Sequence, residues 1–233
     1  MRLDKYLADC GVGSRSDIKK LIRSGVVRVV GIPTPKPETK IEPDVAEVFV
    51  NGVKVEYKEF VYLMLNKPQG YLSSTRDGRQ PIVLDLVPEE YAHFDLFPAG
   101  RLDIDTEGLC LLTNDGQLAH RILSPAHHIP KTYYVELEVP VEDSVIEEFA
   151  NGVDLDDGYH TLPAELKIFE DRRCCEITIT EGKFHQIKRM FQATGNKVAY
   201  LKRIKMNKLS LDESLELGEM RELSEEEVAL LES

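Results

Sequence analysis

The sequence predicts an α+β fold in two parts, a small amino-terminal domain over residues 1–58 and a larger domain over residues 59–233. Two observations support this division. Residues 31–44 contain four prolines, a composition that neither a helix nor a central strand tolerates, and a short hairpin pattern follows and closes near residue 57. Beyond residue 58, strand and helix patterns alternate with no internal repeat.

Helices are predicted where apolar residues recur at helical spacing between start and stop signals. A first helix is expected over residues 3–10, and Ser14 or Ser16 can cap a second that ends near Gly25. In the larger domain, residues 142–150 read as a helix with a carboxylate-rich first turn. The segment beginning at Ser224 is a capping box that opens a final short helix.

Strands are predicted from short apolar or alternating runs. Residues 26–30 form the first, and residues 45–55 form a hairpin because Asn51-Gly52 favours a type I′ turn. In the larger domain, residues 62–65, 109–112 and 175–180 read as further strands.

Charge is distributed unevenly along a chain whose net charge is −12. Residues 1–58 hold 11 Lys and Arg against 8 Asp and Glu, whereas residues 59–233 hold 18 against 33. Within the acidic part, residues 181–205 hold seven basic residues and one acid. The two basic regions are candidate phosphate-binding surfaces for a nucleic acid. On the second predicted helix the basic residues recur as a stripe, which from pattern alone could equally be a solvated face.

Composition also limits the class of protein. No run of apolar residues is long enough to cross a bilayer, and the first residues lack the apolar stretch of a secretory signal, so we expect a cytoplasmic protein. The four cysteines have no metal-ligand spacing and are expected to be reduced structural thiols. We expect no metal site.

The segment most indicative of chemistry is residues 100–116, where one arginine and four acids surround an apolar strand. A strand end can hold catalytic groups rigidly, although a surface loop would also fit. The order Asp-Ile-Asp-Thr at 103–106 further matches the signature of haloacid-dehalogenase-type phosphatases. Against that alternative, residues 97–101 do not read as a buried strand, and no later acidic pair is placed to bind magnesium.

Residues 100–116 resemble, almost residue for residue, the signature segment of pseudouridine synthases of the RsuA family. Four further family segments resemble this sequence in order, at residues 66–71, 131–133, 181–191 and 198–203. The amino-terminal order of two helices, a strand and a hairpin resembles the S-four-type RNA-binding domain. The resemblance implies that a mixed or antiparallel-sheet pseudouridine synthase domain follows that small domain.

The resemblance also implies the catalytic residues. Asp103 would be the catalytic carboxylate and Lys188 its cationic partner, where many relatives have arginine. Arg101 would fill the space vacated by a flipped base, Tyr133 would pack on that base, and Leu201 would form an apolar wall. Breaking and rejoining the glycosidic bond involves no redox change, so no cofactor is expected.

RNA contact is implied for eight further residues, with His185 favoured as a contact over a role as general base. They are Arg15, Lys19, Lys20, Arg23, Lys183, His185, Arg189 and Arg203. Residues 69–75 and 122–128 look closer to the small-subunit branch of the family, whose target is uridine 516 in conventional 16S numbering. The expected partner is ribosomal RNA or a partly assembled small subunit, met by a monomer. A synthase for large-subunit RNA and a non-catalytic RNA-binding ribosome-assembly protein remain the alternatives.

Overall fold

The computed structural model describes residues 1–232, which divide into two compact units. The first comprises Met1–Val61 and Val87–Asp95, and the second comprises Tyr62–Leu86 and the chain from Leu96 onward. The segment Val87–Asp95, which contains a 3-10 turn at Glu89–Tyr91, belongs to the first unit although no sequence pattern assigned it there. The boundary expected at residue 58 lies close to the end of the first segment.

The first unit contains two helices and a three-stranded antiparallel sheet. The elements are α1 (Leu3–Asp9), α2 (Arg15–Arg23), β1 (Val27–Val29), β2 (Val48–Val50) and β3 (Val53–Val55), and the strand order is β1-β2-β3. Ser14 caps α2, because its side chain accepts a hydrogen bond from the Asp17 amide. Asn51 and Gly52 both have positive φ, as a type I′ hairpin requires.

The second unit is built on one mixed sheet. Its strands are β4 (Tyr62–Lys67), β5 (Phe97–Pro98), β6 (Glu107–Thr113), β7 (Lys131–Leu137), β8 (Glu165–Ile168), β9 (Cys174–Ile179), β10 (Val198–Met206), β11 (Leu209–Ser210) and β12 (Met220–Glu222). The strand order is β12-β4-β6-β10-β7-β9-β8, with β5 paired to β6 and β11 paired to β10. Its helices are α3 (Gly116–Leu123), α4 (Ser144–Asn151), α5 (Gln186–Ala193) and α6 (Glu225–Glu232), with 3-10 turns at Val83–Leu86 and Pro125–His127. The predicted α+β class with a mixed sheet is confirmed.

The centre of the sheet is the pair β6 and β10, which run parallel, whereas the other pairings along the sheet are antiparallel. Gly108 permits this pairing. A Cβ atom there would lie 2.2 Å from the backbone oxygen of Arg203, and the φ of +98° is one that side chains rarely adopt. A larger residue at 108 would therefore push β10 away from β6.

Strand β6 is buried along its whole length, as a central strand covered on both faces should be. On one face, Leu109 and Leu111 pack in an apolar cluster that includes Leu118 and Ile122 of α3. The end of β6 also orients α3, because Asp115 caps that helix by accepting hydrogen bonds from the amides of residues 117 and 118. The strand is thus a rigid support for the loop that precedes it.

Several smaller expectations are also met. Ser224 and Glu227 exchange the two hydrogen bonds of a capping box at the start of α6. The four cysteines are free thiols, and Cys110 and Cys175 are buried. Along residues 1–232, no helix is both long enough and apolar enough to span a membrane.

Candidate active site

A cleft of about 100 Å³ opens at the amino-terminal end of β6. Its walls come from the loop before β6, from β7 and β10, and from the segment that leads into α5. All five residues expected to be catalytic line this cleft: Arg101, Asp103, Tyr133, Lys188 and Leu201. Segments up to about 100 residues apart in sequence therefore converge on one small volume.

Asp103 faces two basic side chains across the cleft. Its Oδ1 lies 3.6 Å from His185 Nε2, and its Oδ2 lies 3.6 Å from Lys188 Nζ. Both separations suit an ion pair but exceed hydrogen-bond length. About 30% of the Asp103 side chain is exposed, so a substrate can reach the carboxylate.

Lys188 is shared between two carboxylates. Its Nζ donates a hydrogen bond of 2.5 Å to Asp105 Oδ1, a shorter contact than the one with Asp103. Partial burial disfavours ionisation of Asp105, but the hydrogen bond and charge of Lys188 outweigh it, so the pKa of Asp105 lies below its usual value. The simple Asp103–Lys188 pair expected from the sequence is therefore part of a larger cluster.

Tyr133 and Leu201 supply the apolar side of the cleft. Both are almost fully buried. In the β7–β10 register Tyr133 pairs with Arg203, and Val135 pairs with Leu201. The side chains of Tyr133 and Leu201 therefore lie on the same face of the sheet, offset by two residues along the strands. Arg101, in contrast, is exposed.

The loop that carries Asp103 is held from beneath by Lys67, the last residue of β4. The Lys67 side chain is fully buried, and its Nζ donates to three backbone carbonyls, those of Pro68, Asp103 and Thr106, at 2.8 to 3.1 Å. Burial lowers the pKa of Lys67, and nearby acids oppose that shift. The three carbonyls are the acceptors that a buried ammonium requires.

Two further contacts fix the same loop. The Gly70 amide donates to the carbonyl of Ile104 at 2.8 Å. Ser73 exchanges two hydrogen bonds with the backbone of Leu102, donating from Oγ at 3.2 Å and accepting at 3.1 Å. The segment at 66–71, which the sequence matched only as a motif, thus holds the backbone of the carboxylate loop together with Ser73.

The residues expected to contact RNA have different environments. In the second unit, Lys183 and His185 line the cleft, whereas Arg189 forms ion pairs with Asp156 and Asp157. Arg203 is buried, with Nε donating to the Leu109 carbonyl at 2.7 Å. In the first unit, the expected basic residues are exposed along α2, where Lys20 also pairs with Asp17.

Three residues of the site were missed by sequence reasoning. Lys67 ends a strand that begins with an apolar run, and a lone lysine at the end of such a strand is a usable signal. Thr106 lines the cleft, and its buried hydroxyl has no hydrogen-bond partner within the described chain. Phe184 is exposed and stacks on His185 with ring centroids 3.8 Å apart, which no local pattern foretold.

Comparison with known proteins identifies the class to which this fold and cleft belong. Residues 61–193 match the family described as RNA pseudouridylate synthase. YtzG of Bacillus subtilis, an uncharacterized RNA pseudouridine synthase, is 51% identical, over 99% of this chain and 98% of the relative. The chain belongs to the RNA pseudouridylate synthase family and is therefore an enzyme that isomerises uridine in RNA.

Two more relatives resemble the whole chain. Ribosomal small subunit pseudouridine synthase A of Escherichia coli K12 is 44% identical, over 98% of this chain and 99% of the relative. A crystal structure of a pseudouridylate synthase matches 99% of both chains with a TM-score of 0.70 and 42% identity. The similarity extends beyond the region matched by the family.

Replacing Lys67 by methionine should damage catalysis through the loop. The variant removes a donor from three backbone carbonyls, of which the bond to Thr106 is buried, so we expect the free energy of unfolding to fall by about 1–3 kcal/mol. The kcat for pseudouridine formation should fall while RNA affinity changes little, because Lys67 does not line the cleft. Thermal unfolding and single-turnover kinetics measure the two effects.

The exposed Lys167 of β8 provides the control, since Lys167→Met removes a charge without uncovering buried acceptors. Native stability and native kcat in Lys67→Met would show that the loop holds its position without this lysine.

Proposed function

We propose that the protein converts one uridine of small-subunit ribosomal RNA into pseudouridine, with Asp103 as the catalytic carboxylate. The observation that carries the proposal is the convergence of Asp103, Lys188 and Tyr133 in one cleft. The small-subunit target is supported by the relatives named ribosomal small subunit pseudouridine synthase A, which are 43–44% identical over 98% of this chain. The resemblance of residues 69–75 and 122–128 to that branch supports uridine 516 as the site.

The chemistry places one main demand on the protein. The bond between sugar carbon 1′ and base nitrogen 1 breaks, the base turns, and carbon 5 joins the sugar, with the hydrogen of carbon 5 lost and nitrogen 1 protonated. An ionised carboxylate serves as nucleophile at the sugar or the base, or as base for a sugar proton. Lys188, 3.6 Å from Asp103, supplies positive charge around it, and the His185 ring lies at the same distance.

Recognition of the base requires that it leave the RNA stack. Tyr133 offers an aromatic face and Leu201 an apolar wall for the flipped base. Arg101, exposed at the edge of the cleft, is suited to occupy the space that the base leaves.

The first unit is proposed to be an S-four-type RNA-binding domain. Arg15, Lys19, Lys20 and Arg23 are all exposed on α2, beside a stripe in which the apolar residues Ile18 and Ile22 are buried. This division leaves the basic face available to phosphates. We further propose that the protein works as a monomer in the cytoplasm, on ribosomal RNA or a partly assembled small subunit.

Asp103→Asn should fold normally, bind RNA with near-native affinity and lose activity. The amide preserves the size of the side chain but is neither a nucleophile nor a base at neutral pH, so we expect the rate to fall by about 100- to 10,000-fold. Tritium release from RNA labelled at uridine carbon 5 measures the reaction.

Asp105→Asn is the matched control, because it removes the other carboxylate that Lys188 contacts. It should cost about tenfold or less, since it removes one charge-assisted hydrogen bond outside the reacting atoms. Substantial tritium release by Asp103→Asn would contradict the assignment of this residue.

Reversing the charge of Arg15, Lys19 and Arg23 to glutamate should weaken RNA binding and flatten its dependence on salt, because each phosphate contact contributes to that slope. A triple Lys36, Lys40 and Lys54 variant changes the charge of the same unit equally at other exposed positions. Filter binding across a salt series compares the two. Equal losses would mean that total charge, and not the α2 face, governs binding.

A further inference from the structure

A second cavity adjoins the catalytic cleft and is larger, about 400 Å³. The two share Arg101, Tyr133, Gly182 and Lys183 as lining residues, so they lie side by side. The second cavity adds three basic residues, His128, Lys131 and Arg203. None of these three residues is among the proposed catalytic residues.

One guanidinium nitrogen of the buried Arg203 has no hydrogen-bond acceptor within the described chain. Its side chain is 1% exposed, and Nε donates to the Leu109 carbonyl. Its Nη2 is buried and has no hydrogen-bond partner within residues 1–232. A buried guanidinium nitrogen without an acceptor is costly, and arginine pairs best with a carboxylate or phosphate that accepts two hydrogen bonds.

Lys131 is a second cation that lines the same cavity as Arg203. Its Nζ donates to the Ile129 carbonyl at 2.9 Å, and no carboxylate pairs with it within the described chain. Burial, and secondarily the charge of Arg203, lower the pKa of Lys131 to about 8. A bound anion would offset both the desolvation of the Lys131 ammonium group and its repulsion by Arg203.

The one acid that lines the cavity does not supply that anion. Glu181 accepts hydrogen bonds from the Tyr159 hydroxyl, the Leu162 amide and the Gln186 side chain, at 2.7, 2.8 and 2.7 Å. Its carboxylate is therefore occupied. Four cations, Arg101, Lys131, Lys183 and Arg203, remain around the cavity against this single acid.

We propose that this cavity is a phosphate subsite, in which Lys131 and Arg203 bind a backbone phosphate of the RNA strand next to the flipped uridine. The proposal rests on the proposed function. It assigns the cavity to the substrate because the cavity shares a wall with the catalytic cleft. Under this proposal Arg203 contacts RNA from within the cavity and not as part of an open basic surface.

The test combines a protein variant with a neutral backbone linkage. RNA fragments carrying the target uridine, tritiated at carbon 5, are made with single methylphosphonate linkages at each phosphate within two nucleotides of the target. With the native enzyme, one such linkage should lower kcat/KM by about 10- to 100-fold, the effect of losing hydrogen bonds to a charged group. Lys131→Met should lower it similarly on unmodified RNA and show no further loss with that linkage.

Lys202→Met is the control, because Lys202 is half-buried on the opposite face of β10 and lines a different cavity. It should retain full sensitivity to the neutral linkage. Arg203→Lys is the second site variant, because it preserves the charge but loses the planar fork of the guanidinium group. Thermal unfolding verifies that Lys131→Met and Arg203→Lys both fold. Equal sensitivity of Lys131→Met and native enzyme at every linkage would overturn the subsite.

Two further measurements distinguish free phosphate from an RNA phosphate as the ligand, and failure of the proposed function from failure of the subsite. If inorganic phosphate raises the melting temperature of the native enzyme but no linkage matters, the cavity binds free phosphate and the RNA assignment is wrong. The same RNA series is also followed by equilibrium binding. Absence of tritium release with every RNA would then count against the proposed function, while the linkage effect on Kd still decides the subsite.

Discussion

The buried ammonium group of Lys67 is the contact on which the geometry of the site depends. It joins the end of β4 to the loop before β6 through two backbone carbonyls, those of Asp103 and Thr106, and also bonds to the carbonyl of Pro68. Because the bonds are to backbone atoms, they fix the path of the chain and leave the Asp103 side chain free to face the cleft. A charged group can remain in this interior because its three donor hydrogens all find acceptors.

The sheet extends this constraint to the rest of the site. β6 starts at the carboxylate loop, and its parallel pairing with β10 brings Leu201 and Arg203 near that loop. The close approach of the two strands requires a residue without a Cβ atom at position 108. β7 then adds Tyr133 opposite Arg203. The same two strands therefore carry the apolar wall of the catalytic cleft and the basic lining of the neighbouring cavity. Binding of the base and binding of its backbone would share one rigid element.

Local patterns in the sequence were sufficient for most elements. The Asn51-Gly52 hairpin, the Ser14 cap and the Ser224 capping box follow from contacts between residues close in sequence, and each is present. The residues of the candidate catalytic site were named only through resemblance to a family, because their proximity depends on strand pairing over long separations. Local physics could not choose between a loop and a site at residues 100–116.

What the sequence could not supply lies in tertiary contacts. The basic run at 181–205 suggested an open surface, yet Arg203 is buried and Arg189 is held by Asp156 and Asp157. Likewise, Lys188 is shared between two carboxylates only because α5 faces the loop at 103–105. Charge counts give the composition of a segment, whereas burial and pairing depend on which strands and helices surround it.

The most direct measurement is the mapping of pseudouridine in ribosomal RNA from cells that lack this gene, complemented with either the native protein or its Asp103→Asn variant. Pseudouridine at position 516 of the small-subunit RNA should be absent without the gene, return with the native protein and remain absent with the variant. An unchanged small-subunit pattern in cells without the gene, or full restoration by Asp103→Asn, would contradict the proposed function.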